Sequence, residues 1–437
     1  MHFQIRRFPV LLIIENQNGK QEQEQVNYDV IAVGGGPAGI GAAYAAAGCG
    51  AKVLLLERSG RLGGTAVQSV VGPLMGGVES RIVTEILARL GGCCVDFRRM
   101  DIELFDLLAE RGVEILLHAP VSGVRLEGNR VTGVEAECRE GRCIFSARCV
   151  IDCTGDGDVA FRAGVPFEIG RAGDGLMQPV SIMYLIGGID PLRRMKCTCE
   201  QDARVTMVNG RTWEEIVLEA QSGGRLPDTV SVIRLYHAVR EDENIVNATQ
   251  VNYIDGTSSA DLTRAEIEGR RQAFRILDFL RETVPGYENA FISQMPAAIG
   301  VRETRRFEGV ARLEKGDCIA GRRFADAVVR RACFSIDIHN PAGGGQAAGH
   351  EENAVGTAER AQPYDIPYGV LVPRRLDGLL FAGRCVSASH EALASCRVMC
   401  IAMALGAGAG AAGAYAARCG CELRNVPVTE IQHVLFD

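Results

Sequence analysis

Residues 28–58 read YDVIAVGGGPAGIGAAYAAAGCGAKVLLLER and decide the fold. Residues 29–33 are a short apolar run of β-forming type, and Gly34-Gly35-Gly36-Pro37-Ala38-Gly39 follows at once as G-x-G-x-x-G. An alanine-rich helical run extends through Ala47, and residues 53–56 form a second apolar strand closed by Glu57. This is a complete β–α–β unit with its glycines at the passage from strand to helix. Gly34 permits the tight turn, Gly36 lets a pyrophosphate approach the backbone, and Gly39 lets the helix pack on the strand. The helix N-terminus, with Pro37 and Ala38, offers free N–H groups and a positive dipole to phosphates. Glu57, about 20 residues past the glycines, stands where an acid bonds the ribose hydroxyls. The unit reads as a dinucleotide site, for FAD or NAD alike.

The 437 residues suffice for two or three core-forming units. Hydrophobic content of 47% and charge of 23% suit a soluble globular enzyme. A net charge of −7 without a basic tract argues against nucleic acid and anionic membrane as partners. The sixteen cysteines are scattered and read as free thiols in a reducing cytoplasm. Residues 1–27 read as a flexible appendage. Arg6-Arg7 and the apolar run 8–14 mimic a signal peptide but lack a small-residue cleavage site, and 20–25 is a polar linker.

Outward from the β–α–β unit, Arg61-Leu62-Gly63-Gly64-Thr65 follows the ribose acid. Helical patterns fall at 80–90 and 101–111, a third strand at 113–117. Residues 121–126, 130–136 and 143–150 alternate around Gly128-Asn129 and Gly141, as a three-stranded meander does. It runs into Asp152-Cys153-Thr154-Gly155-Asp156-Gly157-Asp158. From Pro166 the character changes. A strand is expected over 180–186, and a helix over 262–283 with Ala265, Ile267, Phe274, Leu277 and Leu280 on one face. Residues 295–309 read as an arginine-rich strand that puts Arg302 and Arg306 on one side and Arg305 on the other. Residues 377–384 form a turn, a buried strand, Gly383 and Arg384; 391–417 is a long small-residue helix. Its glycines 406, 408, 410 and 413 suit close packing on the first helix better than a membrane span. The expected fold class is α/β. A Rossmann-like domain with a parallel sheet and meander (28–165, completed by 366–425) carries an inserted α+β cap (166–365), and 426–437 is a tail.

These stretches together resemble the FAD-dependent oxidoreductases of the glutathione-reductase-like superfamily, and more closely the subgroup described only as FAD-dependent oxidoreductases. The subgroup-like residues are Gly300-Val301-Arg302-Glu303-Thr304-Arg305-Arg306, Ile336-Asp337-Ile338-His339-Asn340-Pro341 and Phe381-Ala382-Gly383-Arg384 … His390-Glu391-Ala392 … Arg397-Val398-Met399. The resemblance implies FAD, with cofactor contacts at Gly34, Gly36, Pro37, Ala38, Gly39, Glu57, Arg58, Gly64, Thr65, Val121, Thr154, Gly155, Asp156, Asp158, Gly383, Arg384, Arg397 and Val398. Where disulfide reductases carry their cysteine pair after Gly-Gly-Thr, this chain has Ala66 and Val71, so that redox disulfide is absent. Where many relatives have Gly-Asp toward the flavin ribityl chain, it has Gly383-Arg384, which passes the contact to backbone, Asp156 or Asp158. Gly343–Gly349 lacks a preceding buried strand and reads as a loop, leaving no dedicated NAD(P) domain.

Catalysis then falls to a proton carrier near the flavin, and of seven histidines His390 and His339 lie in the subgroup-like stretches. Arg302 could grip a carboxylate bidentately. A helix start near Ser395-Cys396-Arg397 would aim its N-terminus at the flavin. The C-x-C pairs lack zinc or iron–sulfur spacing, so no metal is expected. The sequence implies hydride transfer between flavin and a small polar organic substrate, with a separate electron donor or acceptor and with homo-oligomerisation permitted. Two alternatives are an electron-transfer subunit like the flavoprotein A subunit of heterodisulfide reductases, and a non-redox biosynthetic protein like the thiazole synthases.

Overall fold

A computed structural model describes residues 27–345 and 360–437. The expected appendage lies outside them except for Asn27, as does the loop 343–349 beyond Gly345.

The chain opens with β1 (Asn27–Val33), α1 (Pro37–Gly48) and β2 (Val53–Leu56), the unit read from the sequence. Then come α2 (Thr65–Gln68), β3 (Gly77–Glu79), α3 (Arg81–Arg89) and α4 (Phe97–Glu110). Ser80 caps α3 by accepting from Val83 N, and Asp96 caps α4 by accepting from Arg98 N, so that α4 starts at Phe97, four residues before the expected start. β4 (Glu114–Leu116), β5 (Val121–Glu127), β6 (Arg130–Cys138), β7 (Gly141–Asp152) and α5 (Asp158–Arg162) complete this half.

One seven-stranded sheet runs in the order β4-β2-β1-β7-β6-β5, and the late strand Leu379–Phe381 also pairs with β7. β7 is long enough to change partners. Its first half is antiparallel to β6 (Cys138↔Gly141 to Gly133↔Ser146), and its second half is parallel to β1 and to Leu379–Phe381. All the parallel strands therefore end on one edge, where α/β sheets bind their ligands.

A second, four-stranded antiparallel sheet is built from Arg234–His237, Asn244–Asn247, Met183–Gly187 and Phe291–Gln294. On Met183–Gly187 the side chains alternate. Met183 and Leu185 pack into the core of the first sheet, while Tyr184 and Ile186 pack into a separate core under the helix Ser259–Thr283. That helix buries Ala265, Leu277 and Leu280 as expected, but Ile267 and Phe274 are exposed. The buried row is 265, 269, 272–273, 276–277 and 279–280, and 267 and 274 fall off its face at 100° per residue.

Two further expectations are corrected. Only Arg305–Phe307 of 295–309 is a strand. Ala297 and Ala298 N–H donate to the Gln68 carbonyl and Ile299 N–H to the Glu266 carboxylate, so this stretch spends these donors on the end of α2 and on a side chain rather than on a ladder. The long helix expected over 391–417 is two, His390–Cys396 and Met399–Cys419, broken where Val398 turns extended (φ −68°, ψ 153°). The second helix lies on α1 backbone to backbone. A Cβ on Gly406 would stand 1.8 Å from the Ala38 carbonyl oxygen, and one on Gly410 2.1 Å from that of Ala42. Gly408 and Gly413 face elsewhere, toward Val328 and Cys149. Of its most apolar window 94% is buried, which makes it the central core helix of the fold.

Candidate active site

The register of the sheet builds the first part of the site. Val33 is level with Leu56 and with Asp152, and Asp152 with Phe381. The residues that come next, Gly34, Glu57, Cys153 and Ala382, therefore meet, and all four line an open cleft of about 870 Å³. Gly36, Pro37, Ala38, Arg58, Gly64, Thr65, Thr154, Gly155, Asp156, Gly383, Arg384 and Arg397 line it too, as expected of cofactor contacts. Gly36 serves as N-cap of α1 without any side-chain cap, so the first N–H groups of the helix are left for a ligand.

The glycines of the fingerprint separate by what a side chain would meet. At Gly36 a Cβ would make only an ordinary contact, 3.7 Å from Gly64 Cα, so the space before it is open. At Gly39 it would lie 1.7 Å from the Gly34 carbonyl oxygen, so this glycine is needed for the helix to lie on the strand and does not line the cleft. Glu57 is buried, with its carboxylate accepting from Gly35 N (2.6 Å) and Ser59 N (2.8 Å) at the cleft wall. Val121 pairs with Ala136 at the start of β5, and Asp158 begins α5; neither lines the cleft.

A second cavity of about 750 Å³ continues from the first, sharing Thr65, Val301, Arg384, Arg397 and Met399 with it. Its lining includes the polar Ser181, Asn247, Arg302, Asp337 and His339 and the apolar Val71, Pro73, Met75, Met183, Phe334 and Val398. The break between the two C-terminal helices is what brings Arg397 and Val398 to this chamber, and the second helix begins here at Met399 rather than at 395–397. Arg384 Nη2 donates to Asp156 Oδ1 (3.0 Å), and Arg397 Nη2 to the Asp337 carbonyl (3.0 Å). Arg384 Nη1 and Arg397 Nε are buried with no partner among the described residues. Uncommitted donors of this kind, beside an uncapped helix end and an open glycine, fit an anionic dinucleotide carrying a flavin.

His339 lies 3.8 Å from Asp337, and burial, followed by the charges of Arg302, Arg234 and Arg397, holds it well below the usual histidine range. It is a neutral imidazole at pH 7. Arg302 donates to the Pro179 carbonyl (2.6 Å); burial, then the neighbouring Arg397, lowers its pKa to about 9.

His390 lines neither cavity. It is buried behind the wall, Nδ1 2.9 Å from Glu303 Oε1, and the same fully buried carboxylate takes Arg306 and the Gln178 N–H. Arg305 sits outside the chamber over Phe161, with Asp156 and Asp158 as partners. The side-sharing of Arg302 and Arg306 lapses with the strand that was to impose it.

Two residues the sequence did not single out matter here. Asp152, fully buried, accepts from Thr154 N and Oγ1, Val159 N and Ala160 N, and so shapes the turn that carries Thr154 to Asp156 to the cleft. Burial pushes its carboxyl up to about 6. An acid closing an apolar strand just before T-G-D-G-D was the available signal. Asp337 orients Arg397, and its place in Ile336-Asp337-Ile338-His339 marked it no more than its neighbours.

A cleft at the carboxyl ends of parallel strands, uncapped at its helix and edged with free cationic donors, defines a dinucleotide-binding flavoprotein of the α/β class. Residues 29–435 match the family model described as FAD dependent oxidoreductase. The chain belongs to that family; it is an enzyme, and FAD is its cofactor. Digeranylgeranylglycerophospholipid reductase 1 of Methanopyrus kandleri is 33% identical over 150 residues, covering 30% of this chain and 40% of the reductase. Reductase 2 of the same organism is 34% identical over 197 residues, covering 40% and 44%. The chain thus matches less than half the length of either reductase. A geranylgeranyl bacteriochlorophyll reductase-like protein of Thermoplasma acidophilum aligns over 94% of this chain and 83% of its own, at 14% identity and a TM-score of 0.48.

Proposed function

We propose that this enzyme transfers a hydride between FAD and a small polar organic substrate held in the chamber, as a cytoplasmic protein served by a separate electron donor or acceptor. The observation that carries this reading is the continuity of cleft and chamber through Arg384, Arg397 and Met399. FAD, when bound, supplies the ring that exchanges the hydride. Gly34, Gly36 and the start of α1 would hold its pyrophosphate, and Glu57 its ribose. Arg384 and Arg397 bring cationic donors to the junction, where charge is stabilised best.

His339, not His390, has the position of a proton carrier, because it is neutral and lines the chamber. In this reading residues 166–365 act as a cap that closes the chamber with Met183, Asn247 and Arg302. Kinship to the glutathione-reductase-like group is supported by the Gly63-Gly64-Thr65 and Thr154-Gly155-Asp156 turns, both at the cleft. Anaerobic mixing of the FAD-loaded protein with metabolite pools tests the proposal. Bleaching of the flavin absorbance by an organic metabolite is expected, and its retention with every pool in both redox directions would refute hydride exchange.

A further inference from the structure

Arg302, Arg384 and Arg397 line the chamber and Arg234 acts on Arg302 from nearby; three of the four have carboxylates, Arg234 with Glu200, Arg384 with Asp156, and Arg397 with Asp337. Arg302 has, among the described residues, only the Pro179 carbonyl. Asp337 faces the same space but is engaged by Arg397, and the surroundings as a whole lower the Arg302 pKa. A guanidinium taken out of water without a carboxylate paired to it is costly, even with Asp337 acting on it at a distance, and a planar fork at a cavity wall matches a carboxylate. Met75, Met183 and Phe334 line the same chamber, and these three offer nothing to a second charged group.

We infer that the chamber takes an organic acid with one carboxylate and an apolar body, the carboxylate paired to Arg302 and the body against Met75, Met183 and Phe334. This rests on the reading of the chamber as the substrate site. It narrows the substrate from polar to amphipathic and monoanionic.

The test is equilibrium binding to the oxidised FAD-loaded protein, read by flavin absorbance changes and by thermal midpoint. The probes are hexanoate and benzoate against hexanamide and benzamide, with acetate as the head group alone. The acids should bind at least about tenfold tighter than their amides, as expected for a charge-assisted pair worth about 1.4 kcal/mol or more. Hexanoate should bind tighter than acetate. Arg302→Met should erase the preference for acids, and Arg302→Lys should keep part of it. Equal binding of acids and amides to the parent protein overturns the inference, whether or not the variants fold. An acid preference that survives in Arg302→Met overturns it as well. Should metabolites bleach the flavin while acids show no preference, the anion site alone fails. Should acids bind through Arg302 while nothing bleaches the flavin, the hydride reading fails and the anion site stands.

Discussion

At the cleft end of the site the lining includes five glycines, Gly34, Gly36, Gly64, Gly155 and Gly383, at the turns and helix starts that follow strands whose register the sheet fixes. At the chamber end the lining is side chains: Met75, Met183, Arg302, Phe334, His339 and Arg397, drawn from five separated stretches and mostly from irregular chain. In the proposed reading the first end would grip a phosphate chain, and the second would carry the discrimination, because its shape and charge can change without disturbing a ladder.

The sharpest break in that comparison is at Gly39. Gly39→Ala sets a methyl group 1.7 Å from a backbone oxygen that has no room to yield. It should consume most of a stability of about 5–15 kcal/mol, leaving no folded protein by circular dichroism. A cooperative melt near the parent midpoint would show that helix and sheet can part without loss.

His390→Ala comes next. Removing one hydrogen-bond partner of the buried Glu303 carboxylate, and the packing of the buried ring, costs about 1–3 kcal/mol, so chemical denaturation should move measurably. The rate of flavin reduction at saturating substrate should stay within about threefold of the parent, less than the loss a removed acid–base group causes. A drop of about 100-fold with unchanged stability would place His390 in the chemistry after all.

Gly36→Val separates the two ends of the site from each other. The space in front of Gly36 is open, so the cofactor-free variant should melt within about 1 kcal/mol of the cofactor-free parent. FAD affinity should fall about 100-fold, some 2.7 kcal/mol, by fluorescence titration. Equal affinity would remove the pyrophosphate from this glycine.

The smallest effect is electrostatic and belongs to the chamber. Folded His339 takes a proton only well below 6.5, whereas the unfolded chain takes one near 6.5. Between those values the unfolded state binds more protons, so stability falls as the pH is lowered through about 6.5. Urea titrations at about pH 7.5 and about pH 5.5 should show His339→Gln losing about 1 kcal/mol less than the parent. An identical loss in both would mean that folding does not shift the protonation of His339.

How far the sequence could be read follows the same division. The β–α–β unit, the strands after it and nearly all the cleft residues were legible because each depends on neighbours close in the chain: a glycine spacing, an alternation, a turn. Val121 and Asp158 were placed by resemblance alone and stand off the cleft. In the chamber, Arg302 was found by its residue type, but the strand expected to orient it does not exist. Its orientation comes from Gln68, Glu266 and Pro179, far away in sequence. His390 and His339 looked equivalent in the sequence, and only the burial of Glu303 divides them. The helix break at Val398 left no glycine or proline to announce it.

The pairing of Leu379–Phe381 with β7 has a consequence for how the enzyme is made. Chains leave the ribosome N-terminus first, at about 5–20 residues per second. β1 to β7 emerge early, but Ala382, Gly383, Arg384, Arg397, Met399 and Ala402 are needed to finish the cleft wall. A nascent chain therefore carries the fingerprint for most of its synthesis without a closed place to keep the cofactor. Loading waits until about residue 400 is out, and a product released earlier is born colourless.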